Sequence, residues 1–191
     1  MVQSGLPSKA LNKIRAIWDE TMRGMGSKEV AFIWSEADRE HRMGEGIRSN
    51  FEGVQTHFHQ SLKPDLFSPP LSNNMEKFWN DYKKEYPGTK KVYLDILLQS
   101  AEDRSDADTW NISDPFVFGG ESKFYQTSNH FDIDALTKDL DRLVLLKKNQ
   151  VCDDVAMMVA NTGLNNDDLQ DVSGILDRYR KTGLEILRYG C

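Results

Sequence analysis

The sequence predicts a mainly α protein: a single domain, residues 1–191, of six to seven helices with a small β-hairpin or irregular insertion around residues 103–131. Two observations indicate this class. Five segments place apolar residues every three or four positions, between residues that commonly cap helices. Across residues 103–131 this spacing stops, and aromatic residues follow an extended pattern. With 191 residues and 39% hydrophobic content, the chain can bury one sizeable core.

A helical pair is predicted for residues 1–64. The first helix begins at Ser8, a favourable N-cap. The second runs from Ser27 to a point before Pro64 and bends near Gly44–Gly46, because glycine weakens a helix interior by about 1 kcal/mol relative to alanine. The apolar positions are Leu11, Ile14, Trp18, Met22 and Met25 in the first helix, and Ile47, Phe51, Val54 and Phe58 in the second. From these positions we expect Trp18 and Phe51 to be core residues.

Residues 65–102 are predicted to form short helices. One begins at Asn73, with Glu76 three residues later as in a capping box. Residues 90–102 are ambiguous, because their apolar residues alternate as in a strand while four polar residues recur at spacings of 4, 4 and 3. That polar stripe comprises Lys91, Asp95, Gln99 and Glu102. It favours a helix, with a strand as the alternative.

Residues 132–191 are predicted to be helical. A helix with apolar positions from Ile133 to Leu143 has Asp132 and Asp134 at its start and Lys147 and Lys148 at its end, as the helix dipole prefers. A short helix follows over Val151–Thr162, and the last begins at Asn165 or Asn166 and extends through Arg188. Before these helices, Gly119-Gly120 is interpreted as the turn of a hairpin that joins residues 116–118 to 121–125.

The negative charge is concentrated in the segment Glu102–Asp141. It holds ten acidic and three basic residues, a net charge of −7 against −6 for the whole chain. An acidic, aromatic, irregular surface suits recognition better than catalysis, so the leading hypothesis is a non-enzymatic scaffold, adaptor or accessory protein that binds a protein partner with a basic patch. The proposed partner-binding residues are Asp106, Asp108, Trp110, Asp114, Phe116, Phe118, Phe124 and Tyr125. The competing interpretation is that these aromatic side chains fasten the segment to the core.

Two other functions stay open. One is a small metal-dependent hydrolase built on His41, His57 and His59 with nearby carboxylates. Histidines at i and i+2 diverge on a helix, however, so no catalytic residue, metal or cofactor is predicted. The other is an acidic inhibitor that neutralises a basic nucleic-acid-binding protein. The sequence pI near 5.3 argues against direct binding of nucleic acid or of an anionic membrane.

Self-association is predicted through the apolar positions Phe51, Val54 and Phe58 of the second helix, which would form a homodimer. The alternative is that these residues pack within the same domain. The chain contains no apolar run of about 18 residues and no secretory signal pattern. Its two cysteines, Cys152 and Cys191, lack metal-binding spacing. These features predict an intracellular, cytoplasmic protein without disulfides or membrane contact.

Overall fold

The structure is a computed structural model that describes residues 9–26, 36–100, 112–128 and 131–191. About 50% of these residues are helical and 26% lie in strands, and the strands form a five-stranded mixed sheet. The prediction of a mainly α domain, an all-α helical bundle, is therefore wrong: the fold is α/β. The chain divides into two compact units, Met1–Glu52 and Gly53–Cys191.

The first unit contains helices α1, Lys9–Gly26, and α2, Glu36–Asn50. Helix α1 confirms the predicted first helix. The apolar residues that face inward in this unit are Leu11, Ile14, Ile17, Trp18, Met22, Met43 and Ile47, each at most 6% exposed. The two helices pack closely, because a Cβ built on Gly46 would lie only 2.5 Å from Cγ2 of Ile17.

The second unit contains the sheet. In chain order its elements are β1 (Val54–Ser61), a short 3-10 helix (Pro64–Leu66), α3 (Leu71–Glu85), β2 (Tyr93–Ser100), β3 (Phe116–Tyr125), α4 (Ile133–Lys148), β4 (Cys152–Asn161), α5 (Asn166–Arg180) and β5 (Glu185–Tyr189). The strand order is β1-β2-β3-β4-β5. Strands β1, β2 and β3 pair antiparallel, whereas β3, β4 and β5 pair parallel. Helices α4 and α5 are the crossover connections that parallel pairing requires.

The predicted second helix is wrong beyond Asn50. Val54 and Phe58 belong to strand β1, which pairs with β2, and the chain passes through Gly53 at φ +67° between the helix and the strand. Glycine adopts a positive φ at little cost, so Gly53 forms the turn between α2 and β1 where a continuing helix was predicted. Residues 27–35, where this helix was predicted to begin, lie outside the described residues.

The preference for a helix at residues 90–102 is also wrong, because residues 93–100 are strand β2. A spacing of four places two residues on the same side of a strand as well as of a helix. The stripe of Lys91, Asp95 and Gln99 therefore does not discriminate between the two structures. The alternating Leu94, Ile96 and Leu98 were the informative signal.

The predicted hairpin at Gly119-Gly120 is a single continuous strand, β3. Both glycines lie inside this strand, where neighbouring side chains leave no space for a larger residue. A Cβ on Gly119 would lie 2.7 Å from Sγ of Cys152, and one on Gly120 would lie 2.8 Å from Cε of Met158. Glycine in a strand interior often marks such a close approach.

The short helix predicted at residues 151–162 is strand β4, buried from Val155 to Ala160. A continuous apolar run is typical of a central parallel strand covered on both faces. Helices α4 and α5 confirm two predicted helices, with Asp132 and Asn165 as their N-caps. Helix α5 ends at Arg180, however, and Arg188 lies in β5.

One hydrophobic cluster joins α3, α4 and α5 to the sheet. It includes Phe78 and Tyr82 of α3, Leu140 of α4, Val172 of α5 and Met157 of β4, all fully buried. Helix α3 confirms the short helix predicted near Asn73. Among the described helices, none combines the length and the hydropathy needed to cross a membrane.

Candidate functional site

Strands β2 and β3 separate at one end of their pairing. Their ladder joins Ile96 to Gly120, Leu97 to Gly119 and Leu98 to Phe118. The next pair in this register would be Asp95 with Glu121, but the ladder stops before it. Strand β3 continues to Tyr125 and there pairs with β4 alone. The opening lies toward the carboxyl ends of the parallel strands, where open α/β sheets commonly bind ligands.

Two side chains form hydrogen bonds with backbone groups of β2 and β3 at the opening, where the strands no longer pair with each other. The carboxylate of Asp95 accepts a hydrogen bond of 2.9 Å from the backbone N–H of Ser122. Nη1 of Arg142, on helix α4, donates to the carbonyl of Tyr93 at 3.1 Å. The separation of the strands is therefore a stabilised feature with its own hydrogen bonds.

Helix α4 and strand β3 meet in a network of ion pairs at this opening. Arg142 bonds the carboxylate of Glu121 through Nη1 and that of Asp139 through Nη2, the latter at 2.8 Å. Nζ of Lys123 lies 2.5 Å from the other oxygen of Asp139. Glu121 and Lys123 are two residues apart on one strand, so both project to the side that carries α4. We call the five residues Asp95, Glu121, Lys123, Asp139 and Arg142 the β2–β3 crevice.

The side chains of the crevice differ in their exposure to solvent. The side chain of Glu121 is 2% exposed and that of Asp139 9%, whereas Asp95 is 20% and Lys123 29% exposed. His59 of β1 lies beside the crevice, with Nδ1 3.7 Å from Asp95 and 60% of its side chain exposed. Asp95, Lys123 and His59 are thus partly accessible to solvent, whereas Glu121 and Asp139 are buried.

Burial has the largest effect on the pKa of Glu121. It raises the pKa of Glu121 well above its ordinary value, and the charges of Asp95 and Asp139 add to this, against the opposing effect of Arg142. Burial alone would lower the pKa of Lys123, but the charges of Asp139, Glu121 and Asp95 outweigh it and raise that pKa. The five residues comprise two basic and three acidic groups, a formal charge of −1 when all are ionised.

The residue types of the crevice allow two kinds of chemistry. A carboxyl group whose pKa is raised by burial can serve as a proton donor, and such groups concentrate at functional sites. Two carboxylates from adjacent strands also supply hard oxygen donors for a divalent cation. Within the described part of the chain, no three or more histidine, cysteine, aspartate or glutamate residues are grouped to hold a metal ion by themselves. A cation here would need oxygen atoms from water or substrate.

The predicted partner-binding residues are placed unevenly. Asp106, Asp108 and Trp110 lie outside the described residues. Asp114 is exposed and Phe124 half-buried. The other three are buried in β3, namely Phe116 and Phe118 at 0% exposure and Tyr125 at 5%. A partner surface would have to use the exposed members of this set, and binding of a basic partner stays a prediction.

The three histidines are divided between the two units. His57 and His59 lie on β1, where His57 Nε2 is 3.0 Å from Oε1 of Gln99 and His59 faces Asp95. His41 belongs to helix α2 in the first unit and lies 3.3 Å from Glu45. The hydrolase interpretation based on these three residues stays untested, as does the acidic-inhibitor interpretation.

The residues predicted for self-association fall in different settings. The ring of Phe51 lies under the ammonium group of Lys13, 4.9 Å from its centroid. Val54 and Phe58 are half-buried in β1, an edge strand of the sheet. A homodimer stays a prediction, to be tested by sedimentation of the Phe58→Glu variant.

Sequence reasoning missed the crevice. Asp95 was assigned to the polar face of a helix, and Glu121 and Lys123 to one arm of a hairpin. The available signal was a charged residue inside each of two apolar strands, since charged residues are almost never buried without a partner.

A second concavity, of about 500 Å³, lies apart from the crevice. Its lining is Lys63, Pro64, Asp65, Glu76, Trp79, Asn80, Lys83 and Lys90. The charges around it are mixed and its charged side chains are exposed, whereas the crevice holds buried charge. We therefore take the β2–β3 crevice as the candidate site.

Comparison of the chain with protein-family models, with curated proteins and with solved structures yields no match in any of the three.

Proposed function

We propose that the β2–β3 crevice is the catalytic centre of a hydrolase that uses a divalent cation to cleave a phosphoester. The observation that carries the proposal is the meeting of Asp95 and Glu121 at the point where β2 and β3 separate, with Lys123 beside them. Magnesium is commonly bound by one or two carboxylates together with water and phosphate oxygens, which agrees with a site of only two protein ligands.

Each group has a role that its chemistry supports. Asp95 and Glu121 would hold the cation, which when bound would lower the pKa of a water molecule and neutralise charge on phosphoryl oxygens. Attack of the water oxygen on phosphorus would break the ester P–O bond, and the proton released by that water would pass to the leaving oxygen. Lys123 is a partly exposed ammonium group of the crevice, and it would stabilise the negative charge that develops on the phosphoryl group.

A purely structural network is the competing explanation. Burying several charges is unfavourable unless they are paired, and replacing a buried ion pair by apolar residues is often neutral or stabilising. A contribution to stability is therefore, by itself, a weak explanation for the presence of this network. The partial exposure of Asp95 and Lys123 supports access from solvent, which a structural network does not need.

The test is hydrolysis of bis(p-nitrophenyl) phosphate by the purified chain with Mg²⁺ or Mn²⁺, compared with the same protein in EDTA. We expect activity that depends on the cation and falls by about 10²-fold or more in Asp95→Asn and Lys123→Gln. Asp171→Asn, which removes an exposed carboxylate of α5, is the matched control and should keep full activity. Activity that survives Asp95→Asn would contradict the proposal, as would a protein that binds no divalent cation.

A further inference from the structure

His59 has a backbone conformation that is uncommon for residues other than glycine. Its φ is +51°, although it lies inside strand β1. The strand pairs with β2 on both sides of it, Phe58 with Ile96 and Gln60 with Leu94. Residues in such conformations persist only where the surrounding structure holds them, and they cluster at active sites and ligand-binding sites.

Gln150 shows what an ordinary positive φ looks like in this fold. Among the described residues it is the one other non-glycine residue of this kind, with φ +56°. It follows Asn149, the C-cap of helix α4, where a left-handed residue commonly ends a helix. His59 lies within a paired strand, so the end of a helix does not explain its conformation.

The imidazole of His59 lies beside the carboxylate of Asp95. The two residues are opposite each other in the register of β1 and β2, and Nδ1 of His59 is 3.7 Å from Oδ1 of Asp95. The other oxygen of Asp95 accepts the hydrogen bond from the backbone N–H of Ser122, which fixes the carboxylate. A carboxylate that faces Nδ1 favours the tautomer with its proton there, so Nε2 is the basic nitrogen. Catalytic hydrogen bonds are often long before substrate binds, and 3.7 Å is compatible with such a pair.

The other two carboxylates of the crevice are paired with basic side chains. Arg142 bonds Glu121 and Asp139, and Lys123 bonds Asp139. Asp95 instead faces a histidine, and it is 20% exposed where the histidine is 60% exposed. Water and substrate can therefore approach the imidazole, while the carboxylate behind it is more protected. A base that is oriented by a third group in this way is typical of hydrolytic sites.

We propose that His59 is a catalytic general base, oriented by Asp95, that activates water for the hydrolysis of a carboxylic ester without a metal ion. Nε2 takes a proton from the water whose oxygen attacks the carbonyl carbon of the ester. The C–O bond of the tetrahedral intermediate then breaks, and the imidazolium gives its proton to the leaving oxygen. Ester and water yield acid and alcohol, so no other reactant is needed. Because no cation takes part, this activity goes beyond the phosphoester hydrolysis proposed above.

The charge of the crevice favours an uncharged substrate for this reaction. Its two basic and three acidic groups sum to −1 when all are ionised, and both basic groups are already paired with carboxylates. Without a cation, an anionic substrate would meet no excess of positive charge. A neutral carboxylic ester requires none before the attack of water.

The experiment is hydrolysis of p-nitrophenyl acetate in EDTA at about pH 8, where histidine side chains are generally neutral. We expect His59→Gly to lower the rate above background by about 10²-fold or more, and Asp95→Asn to lower it by at least about tenfold. Added imidazole should restore part of the rate of His59→Gly, beyond the rate of imidazole without protein. The wild-type rate should also fall in D₂O, because a proton is transferred during the attack of water.

His41 is the matched comparison for His59. It is 69% exposed and lies 3.3 Å from the carboxylate of Glu45, but it belongs to helix α2. His41→Gly should keep the full rate. Glycine adopts a positive φ at little cost but weakens a helix interior. His59→Gly should therefore unfold at a temperature no lower than that of the wild type, whereas His41→Gly should unfold at a lower one.

Four outcomes would overturn the role of His59. They are a rate that survives in His59→Gly, an equal loss in His41→Gly, equal rates in H₂O and D₂O, and a loss that imidazole does not restore in a protein that unfolds at a lower temperature. The second would mean that exposed imidazoles in general react, the third that nitrogen attacks the ester directly, and the fourth that the side chain is structural. A wild type that does not hydrolyse the ester in EDTA would also overturn it. The phosphoester proposal would still stand or fall by its own assay with Mg²⁺ or Mn²⁺.

Discussion

The carboxylate of Asp95 accepts a hydrogen bond of 2.9 Å from the backbone N–H of Ser122, across the point where β2 and β3 separate. A side chain thereby takes the acceptor position that a strand carbonyl occupies elsewhere in the ladder. Because Ser122 is 3% exposed, its N–H has little access to water, and the carboxylate is the means by which the opening is tolerated. The residue proposed to bind the cation is thus also one that keeps the crevice open.

This double role predicts that two substitutions of Asp95 will differ in stability. Asp95→Ala removes the acceptor and should lower the free energy of unfolding by about 1–3 kcal/mol. Asp95→Asn keeps an oxygen that can accept from Ser122 and should cost less than about 1 kcal/mol. Urea unfolding measures both, and Mn²⁺ titration should show that both lose the cation. Equal destabilisation by the two substitutions would contradict the assigned hydrogen bond.

The sequence predicted helices better than strands, and the reason is visible in particular residues. Helices α1, α3, α4 and α5 expose one polar face, so their apolar residues recur with helical spacing. Strand β4 is buried from Val155 to Ala160 and therefore shows no alternation that could separate it from a short buried helix. Strand β2 carries polar residues on one face, and their spacing is also compatible with a helix.

The crevice was harder to predict because its residues are distant in sequence. Asp95 and Glu121 come near each other only because β2 and β3 pair at the adjacent positions Ile96 and Gly120, and local periodicity does not determine that register. Arg142 and Asp139 join them through the crossover helix α4. What could have been noticed from the sequence alone is a charged residue within each of two apolar segments, Asp95 in one and Glu121 with Lys123 in the other.

Gly119 provides a test of the β3–β4 packing. A methyl group there would meet Sγ of Cys152 at 2.7 Å and Cδ2 of Leu94 at 2.9 Å, so Gly119→Ala should destabilise the protein by about 1–3 kcal/mol. Gly174 of α5 is the control, because nothing lies within 4 Å of its added Cβ. Gly174→Ala should stabilise by up to about 1 kcal/mol. Thermal or urea unfolding compares them; a neutral Gly119→Ala would rule out the close approach of β3 to its neighbours.

Asp141 of α4 joins two other helical regions. Tyr86, which follows α3, and Tyr179 of α5 each donate a hydrogen bond of 2.5 Å to its carboxylate. Burial raises the pKa of both phenols, and the hydrogen bond to Asp141 adds to this. Tyr86→Phe and Tyr179→Phe should each cost about 1.5 kcal/mol, the lower end of the range for charged acceptors, because these groups are only partly buried.

A double-mutant cycle makes the test of Asp141 specific. After Asp141→Ala, the further change Tyr179→Phe should cost much less than it does in the wild type, since the shared acceptor is gone. Urea unfolding of the four variants gives the coupling free energy. A coupling near zero would indicate that the tyrosines pack against the helices without depending on Asp141.

Glu121 makes stability depend on pH in a direction that can be predicted. Its pKa is raised in the folded protein above 4.5, chiefly by burial. Below that ordinary value the carboxyl group is protonated in both the folded and the unfolded states. As the pH rises above it, the unfolded chain releases the proton first. The folded state then holds more protons, so the free energy of unfolding falls with rising pH until the folded pKa is passed.

Glu121→Gln removes this dependence, because glutamine does not ionise. We expect the stability advantage of the wild type over Glu121→Gln to shrink as the pH rises above 4.5, by at most about 1.4 kcal/mol per pH unit. Urea unfolding in EDTA at several pH values measures the difference without bound metal. Glu85→Gln, at an exposed position of α3, controls for the loss of one acidic side chain. If the advantage of the wild type instead grew with pH, Arg142 would dominate over burial and hold Glu121 ionised. The cation would then meet a charged carboxylate already paired with Arg142, and metal binding would release no proton from Glu121.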